Sequence, residues 1–205
     1  HGSARNIEHS ELPRQARLVR GWSGGPMMMM DGLERGFAAA VYIGYHSRAG
    51  SAASPMSHTM STTLAEFRVN GKPVSEFELN AWAAASLKVP SVYISGDKGA
   101  CLQARRLLPR IGYTAVMEGL GEATVHLHPR EAEARIRAGV EAALKDKAAA
   151  IRVVAWNDAV FDELRQGGID IAFWPYPAPE GFNFRILMRC GMKCLIQKGR
   201  APVSG

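Results

Sequence analysis

Val89-Pro90-Ser91-Val92-Tyr93-Ile94-Ser95-Gly96-Asp97-Lys98-Gly99-Ala100-Cys101-Leu102 is the stretch whose reading decides the fold. Val89–Ser95, with Val92, Tyr93 and Ile94 at its centre, reads as a buried strand. Gly96-Asp97-Lys98-Gly99 matches neither a P-loop nor a dinucleotide fingerprint and reads as a strand-to-helix turn. Ala100–Leu108 reads as a helix and Tyr113–Met117 as the next strand. Strand, helix and strand in direct succession predict a largely parallel sheet flanked by helices, an α/β fold.

The same alternation extends outward. Toward the N-terminus, Phe37–Tyr45 is continuously apolar and predicts a buried strand. It runs into the polar, glycine-bracketed loop Gly44–Gly50 and then the small-residue loop Ser51–Thr63. Ala65–Val69 predicts a strand, and Asn70-Gly71 is a strong hairpin turn. Ser75–Leu87 predicts a helix with Phe77, Ala81, Ala84 and Ala85 on one face. Earlier still come a loop, a short helix near Leu12–Leu18 and a turn at Gly24–Pro26. Met27–Met30 suit an irregular core or a subunit contact, because thioether chains adapt to their surroundings.

Toward the C-terminus, Pro129–Ala149 is the clearest helix. Pro129 stands where a missing N–H costs nothing. Ile136, Val140 and Leu144 form a stripe, and Glu131–Arg135, Glu133–Arg137 and Glu141–Lys145 are i,i+4 pairs in the better order. After Ala150 the pattern restarts, with strands at Ile151–Ala155 and Ile169–Phe173, a helix at Ala159–Gln166 and a Pro-rich loop over Trp174–Gly181. The Ala148–Ala150 stretch marks the expected boundary, giving a domain over 1–149 and a divergent C-terminal appendage over 150–205.

Composition narrows the function. With 47% apolar and 21% charged residues, the 205-residue chain is neither disordered, collagen-like nor a coiled coil. Its net charge of +6 is spread along the chain, which argues against a nucleic-acid partner. No apolar run approaches the roughly 20 residues of a membrane span. Cys101, Cys190 and Cys194 are too few for a disulfide framework, which fits a reducing compartment and a cytoplasmic location. Cys190-x-x-x-Cys194 lacks the second pair that a zinc ribbon needs.

Histidines carry the most chemical promise. His1 lies near Arg5 and Asn6. His46 follows a strand, where α/β proteins place ligands. His58 sits in the small-residue loop, and Glu76 opens a helix. Two imidazoles and a carboxylate suit zinc, and a further histidine can transfer protons near neutral pH. Each histidine taken singly reads more readily as a surface or hydrogen-bonded residue, and the spacings match no compact metal motif. His126 and His128 are close together, but His128 before Pro129 reads as a helix entry.

Four segments, taken in order, carry a resemblance. They are His1-Gly2-Ser3-Ala4-Arg5-Asn6, Gly44-Tyr45-His46-Ser47-Arg48-Ala49-Gly50, Ser57-His58-Thr59-Met60-Ser61 and Val74-Ser75-Glu76-Phe77-Glu78-Leu79-Asn80-Ala81. Together they resemble the zinc-dependent D-aminopeptidases of the DppA type, peptidase family M55. Val92–Cys101 and Leu127-His128-Pro129 resemble the same family, and the likeness covers roughly residues 1–149. It implies a two-zinc (Zn2+) metallopeptidase that removes N-terminal D-amino acids, D-alanine in type, from short peptides and assembles as a homodecamer. By position, His1, His46 and Glu76 resemble its metal ligands, and His58 resembles its catalytic histidine.

Two departures accompany the likeness. The family carries an Asp-x-Glu-Gly motif on a first strand, supplying two further carboxylate ligands, and that strand has no counterpart here. Impaired activity of the chain is the expectation. Glu118-Gly119 lies at another strand end and does not replace the motif. In addition, Leu164–Phe173, Pro177–Gly181 and Cys194–Ile196 weakly resemble the effector-binding domain of LysR-type regulators, without any helix-turn-helix. A non-catalytic small-molecule binding module with a regulator-like tail is therefore the alternative function.

Overall fold

In a computed structural model of the chain, the run centred on Tyr93 becomes an inner strand of the main sheet. The structure describes residues 4–25 and 27–146, and the backbone of three strands at 171–174, 182–186 and 193–197. The elements are β1 (Ala40–Tyr45), β2 (Arg68–Val69), β3 (Lys72–Pro73), α1 (Glu76–Ser86), β4 (Ser91–Asp97), α2 (Lys98–Leu107), β5 (Gly112–Leu120), β6 (Ala123–His126) and α3 (Pro129–Lys145). The main sheet has the order β1-β4-β5-β6. β1 and β5 run parallel to β4, with Val41 opposite Tyr93 and Ile94 opposite Tyr113. Only β6 is antiparallel, folding back on β5.

Every residue of β4 is buried, as expected for a parallel strand covered on both faces. On one face, Tyr42, Tyr45 and Ile94 pack with Phe77, Ala81 and Ala84 of α1 and Ala104 of α2. On the other, Val92 and Tyr93 pack with Ala143, Ile136 and Val140 of α3. Tyr42, Tyr45 and Phe77 meet edge-to-face, the favoured aromatic arrangement. Met27 and Met28 are buried and Met30 packs against the same core, the filling role their chemistry suggests.

Helix ends follow local chemistry. Ser75 caps α1 in a reciprocal box: its hydroxyl accepts from the Glu78 N–H at 3.3 Å, and the Glu78 carboxylate accepts from the Ser75 N–H at 2.6 Å. Ser75→Ala is expected to lower stability by about 1 kcal/mol, read as a shift in the denaturant midpoint. His128 caps α3 through Nδ1, which accepts from the Arg130 N–H. The Glu131–Arg135 pair forms at 2.6 Å.

Several expectations change. The run from Phe37 pairs only from Ala40, and Phe37 and Ile43 are exposed because β1 is an edge strand among those described. Leu12–Leu18 is not helical. A short 3-10 turn at His9–Glu11 precedes it, and residues 13–17 are exposed, so no buried face supports an isolated helix. The strand expected at Ala65–Val69 shrinks to Arg68–Val69, paired with β3 around Asn70-Gly71, both at positive φ as that turn requires. On α3, Ala143 is buried and Leu144 is exposed, because positions 136, 140 and 143 follow the helical period.

The expected boundary at Ala148–Ala150, the strand at Ile151–Ala155 and the helix at Ala159–Gln166 lie outside the described residues. Beyond them, β7 (Ile171–Trp174), β8 (Phe182–Ile186) and β9 (Lys193–Gln197) form an antiparallel sheet of order β7-β9-β8. No described helix is long and apolar enough to cross a membrane.

Candidate metal centre

The parallel strands β1 and β4 end side by side, and the chain leaves β1 directly into His46. The loop that follows returns His58 to the same place. It is held by Thr59, a fully buried residue whose hydroxyl accepts from the Ala49 N–H and donates to the Val74 carbonyl, both at 3.0 Å. Val74 lies just before the cap of α1, so the same contact brings in Glu76, the first residue of that helix. Glu76 is buried, and its Oε1 accepts from the Met60 N–H at 2.8 Å. Met60 adopts a left-handed φ of +62°, an uncommon conformation for a side-chain-bearing residue that aims this N–H at the carboxylate.

His46, His58 and Glu76 thus present three ligand atoms within 4.8 Å of one another. Glu76 Oε1 lies 3.5 Å from His46 Nε2 and 3.6 Å from His58 Nε2. The imidazole rings stack with centroids 3.7 Å apart and 17° between planes. His46 Nδ1 lies 3.2 Å from the Ser47 carbonyl, and His58 Nδ1 lies 2.8 Å from the Met56 carbonyl. A carbonyl only accepts, so both Nδ1 atoms donate and each ring turns its Nε2 toward Glu76.

This donor set fits a metal ion. Two ligand atoms bound at about 2.0–2.1 Å in a tetrahedron stand roughly 3.3 Å apart, close to both carboxylate–imidazole separations. Those separations exceed a good hydrogen bond.

His46 and Glu76 are also coupled electrostatically. Burial pushes the His46 imidazole pKa down, but the Glu76 carboxylate and the Ser47 carbonyl outweigh it, and the net shift is upward. Burial pushes the Glu76 carboxyl up, but His46, the Met60 N–H and His58 outweigh it, and the net shift is downward. Glu76 is therefore an anion at neutral pH, as a ligand must be.

Of the residues singled out in the sequence, His46, His58 and Glu76 come together, and His1 lies outside the described residues. Glu118 forms an exposed ion pair with Lys98 at 2.7 Å. His126 meets Thr124 on the surface and His128 caps α3, so neither joins the cluster. Cys101 is buried and its thiol is pushed up to about 12, mainly by burial, which leaves it unreactive at neutral pH. The Met60 N–H is a participant that side-chain patterns do not signal.

The chain is similar to known proteins. The family model described as D-aminopeptidase, peptidase family M55, matches residues 1–165. Over 148 residues the chain is 32% identical to the D-aminopeptidase of Bacillus subtilis (strain 168), covering 72% of this chain and 53% of that protein. The chain therefore spans about half the length of the curated relative it matches. A solved structure described as the Zn-dependent D-aminopeptidase DppA from Bacillus subtilis, a self-compartmentalizing protease, shares the fold. Its TM-score is 0.70, at 23% identity over 96% of this chain and 70% of that one. By the extent of the family match, the chain belongs to the M55 family of D-aminopeptidases.

Proposed function

We propose that this chain carries the zinc centre of an aminopeptidase that hydrolyses short peptides with an N-terminal D-amino acid, D-alanine in type. The observation that supports it most is the meeting of His46, His58 and Glu76, with both Nδ1 protons held by carbonyls, in a chain of this family. Zinc bound there supplies Lewis-acid polarisation of the scissile carbonyl and an acidified water. His46 Nε2 and the Glu76 carboxylate would hold the ion, and Glu76 would offset its charge. His58 takes up and returns a proton at Nε2, because its Nδ1–H is engaged in a hydrogen bond to the Met56 carbonyl. A second ion with His1 among its ligands, assembly into a homo-oligomer of ten copies and a cytoplasmic location complete the reading.

Zinc content and hydrolysis of D-alanyl peptides, measured together on the wild-type chain and on His58→Ala, test it. Wild-type protein is expected to take up zinc. His58→Ala is expected to keep its zinc and lose about 10²–10⁴-fold in rate. Loss of zinc together with activity would make His58 a ligand instead. A wild-type chain that takes up no zinc would overturn the proposal.

A further inference from the structure

The turn Gly96-Asp97-Lys98-Gly99 has so far served only to join β4 to α2. Its aspartate has an unusual position. Asp97 is almost completely buried, at 1% exposure, and among the described residues no cation lies within ion-pair distance of it. A buried carboxylate is costly unless its oxygens are occupied by donors. Three donors occupy them. The Ala100 N–H reaches Oδ1 at 2.7 Å and caps α2. The other two both come from one residue: the Ser47 N–H reaches Oδ2 at 2.7 Å and the Ser47 hydroxyl reaches Oδ1 at 2.6 Å.

Ser47 is itself fully buried. With its N–H and its hydroxyl both fixed by Asp97, its carbonyl has a set direction, and that carbonyl serves both histidines. It lies 3.2 Å from His46 Nδ1 and accepts from the main-chain N–H of His58 at 3.1 Å. One oxygen thus orients the His46 ring and anchors the loop that carries His58. Gly99 keeps this possible. A Cβ there would fall 2.2 Å from the Ser47 hydroxyl and 2.5 Å from the Ala53 side chain, so the first turn of α2 is pressed against the Ser47 loop.

We propose that Asp97, acting through Ser47, is a positioning residue that sets the placement of His46 and His58 relative to Glu76. It rests on the zinc reading given above, and its role is distinct from capping α2. A cap alone needs only the Ala100 contact. The two contacts to Ser47 lead away from the helix and into the cluster.

Cobalt(II) substitution of the full chain provides the test, with folding of each variant verified by circular dichroism. Wild-type protein is expected to bind cobalt with the visible bands of a low-coordinate site. Ser47→Ala keeps the main-chain contact and the cap, so it is expected to fold. It should weaken metal binding about 10-fold and shift the bands, and Asp97→Asn should weaken it about 100-fold, the usual range for residues that support metal ligands. The double variant should be no weaker than Asp97→Asn alone, because the two residues act as one unit. If Ser47→Ala lowers the melting temperature of the metal-free protein but leaves affinity and spectrum unchanged, Asp97 is a helix cap only and the inference is overturned. If Asp97→Asn does not fold, Ser47→Ala decides alone. A wild-type chain without cobalt bands would instead overturn the zinc reading and this inference with it.

Discussion

Glu76→Gln is expected to lower zinc affinity by more than about 100-fold with α1 intact. Residues that merely support ligands cost about 10–100-fold when removed, and among the described residues Glu76 is the anion that lies between the two imidazoles. Glutamine keeps the volume, and its carbonyl keeps the Met60 N–H bond, so the change isolates the charge. Calorimetric titration with zinc measures it. Affinity within a few-fold of wild type would remove Glu76 from the ligand set.

The same variant has a signature without metal. The raised His46 imidazole contributes stability that is full below its ordinary value of 6.5 and is lost as pH rises through the folded value. The lowered Glu76 carboxyl contributes stability present above its ordinary value of 4.5 and lost as pH falls through the folded value. Metal-free wild type should therefore exceed Glu76→Gln most between 4.5 and 6.5, which thermal melts across pH would show. With the carboxylate gone, burial dominates at His46, and its imidazole should titrate lower, as read by NMR.

The second large effect is expected at Gly96. A Cβ there would fall 1.9 Å from the Tyr45 carbonyl oxygen and within 2.9 Å of the Tyr45 nitrogen. These are backbone atoms of the neighbouring parallel strand, where Tyr45 pairs with Gly96. They yield only if β1 and β4 separate. Gly96→Ala should therefore cost at least about 3 kcal/mol, the upper part of the overpacking range. That corresponds to a fall in melting temperature on the order of 10 °C. Because His46 follows Tyr45 directly, residual folded protein should also bind zinc less tightly. A melting temperature within a few degrees of wild type would show that the strands separate without penalty.

Much of this architecture was legible from residues. The order of strand and helix from Val89 to Met117 follows from the apolar run and its turn. Ser75 and Glu78 announce the start of α1, and Pro129 that of α3. The cluster was legible only in part. Resemblance gathered His46, His58 and Glu76, but spacing alone could not, because they come from three separate segments. The hairpin strand β6 was missed since its four residues are largely exposed and carry no apolar run. Leu12–Leu18 misled because the residues between its two half-buried leucines are exposed, which leaves no continuous apolar face for a helix. Asp97 looked like an ordinary turn residue. Its partner Ser47 lies 50 positions away, and no local pattern encodes such a contact.

His46, His58 and Glu76 meet only after β1, the following loop and α1 have come together. In the extended chain they are far apart and bind an ion individually and weakly. Zinc bound by the cluster would therefore favour the folded chain over the unfolded one, by about 4 kcal/mol when free ion reaches 1,000 times the dissociation constant. Under the proposed zinc reading, withdrawal of zinc is expected to raise the population of opened chain, read as faster proteolysis.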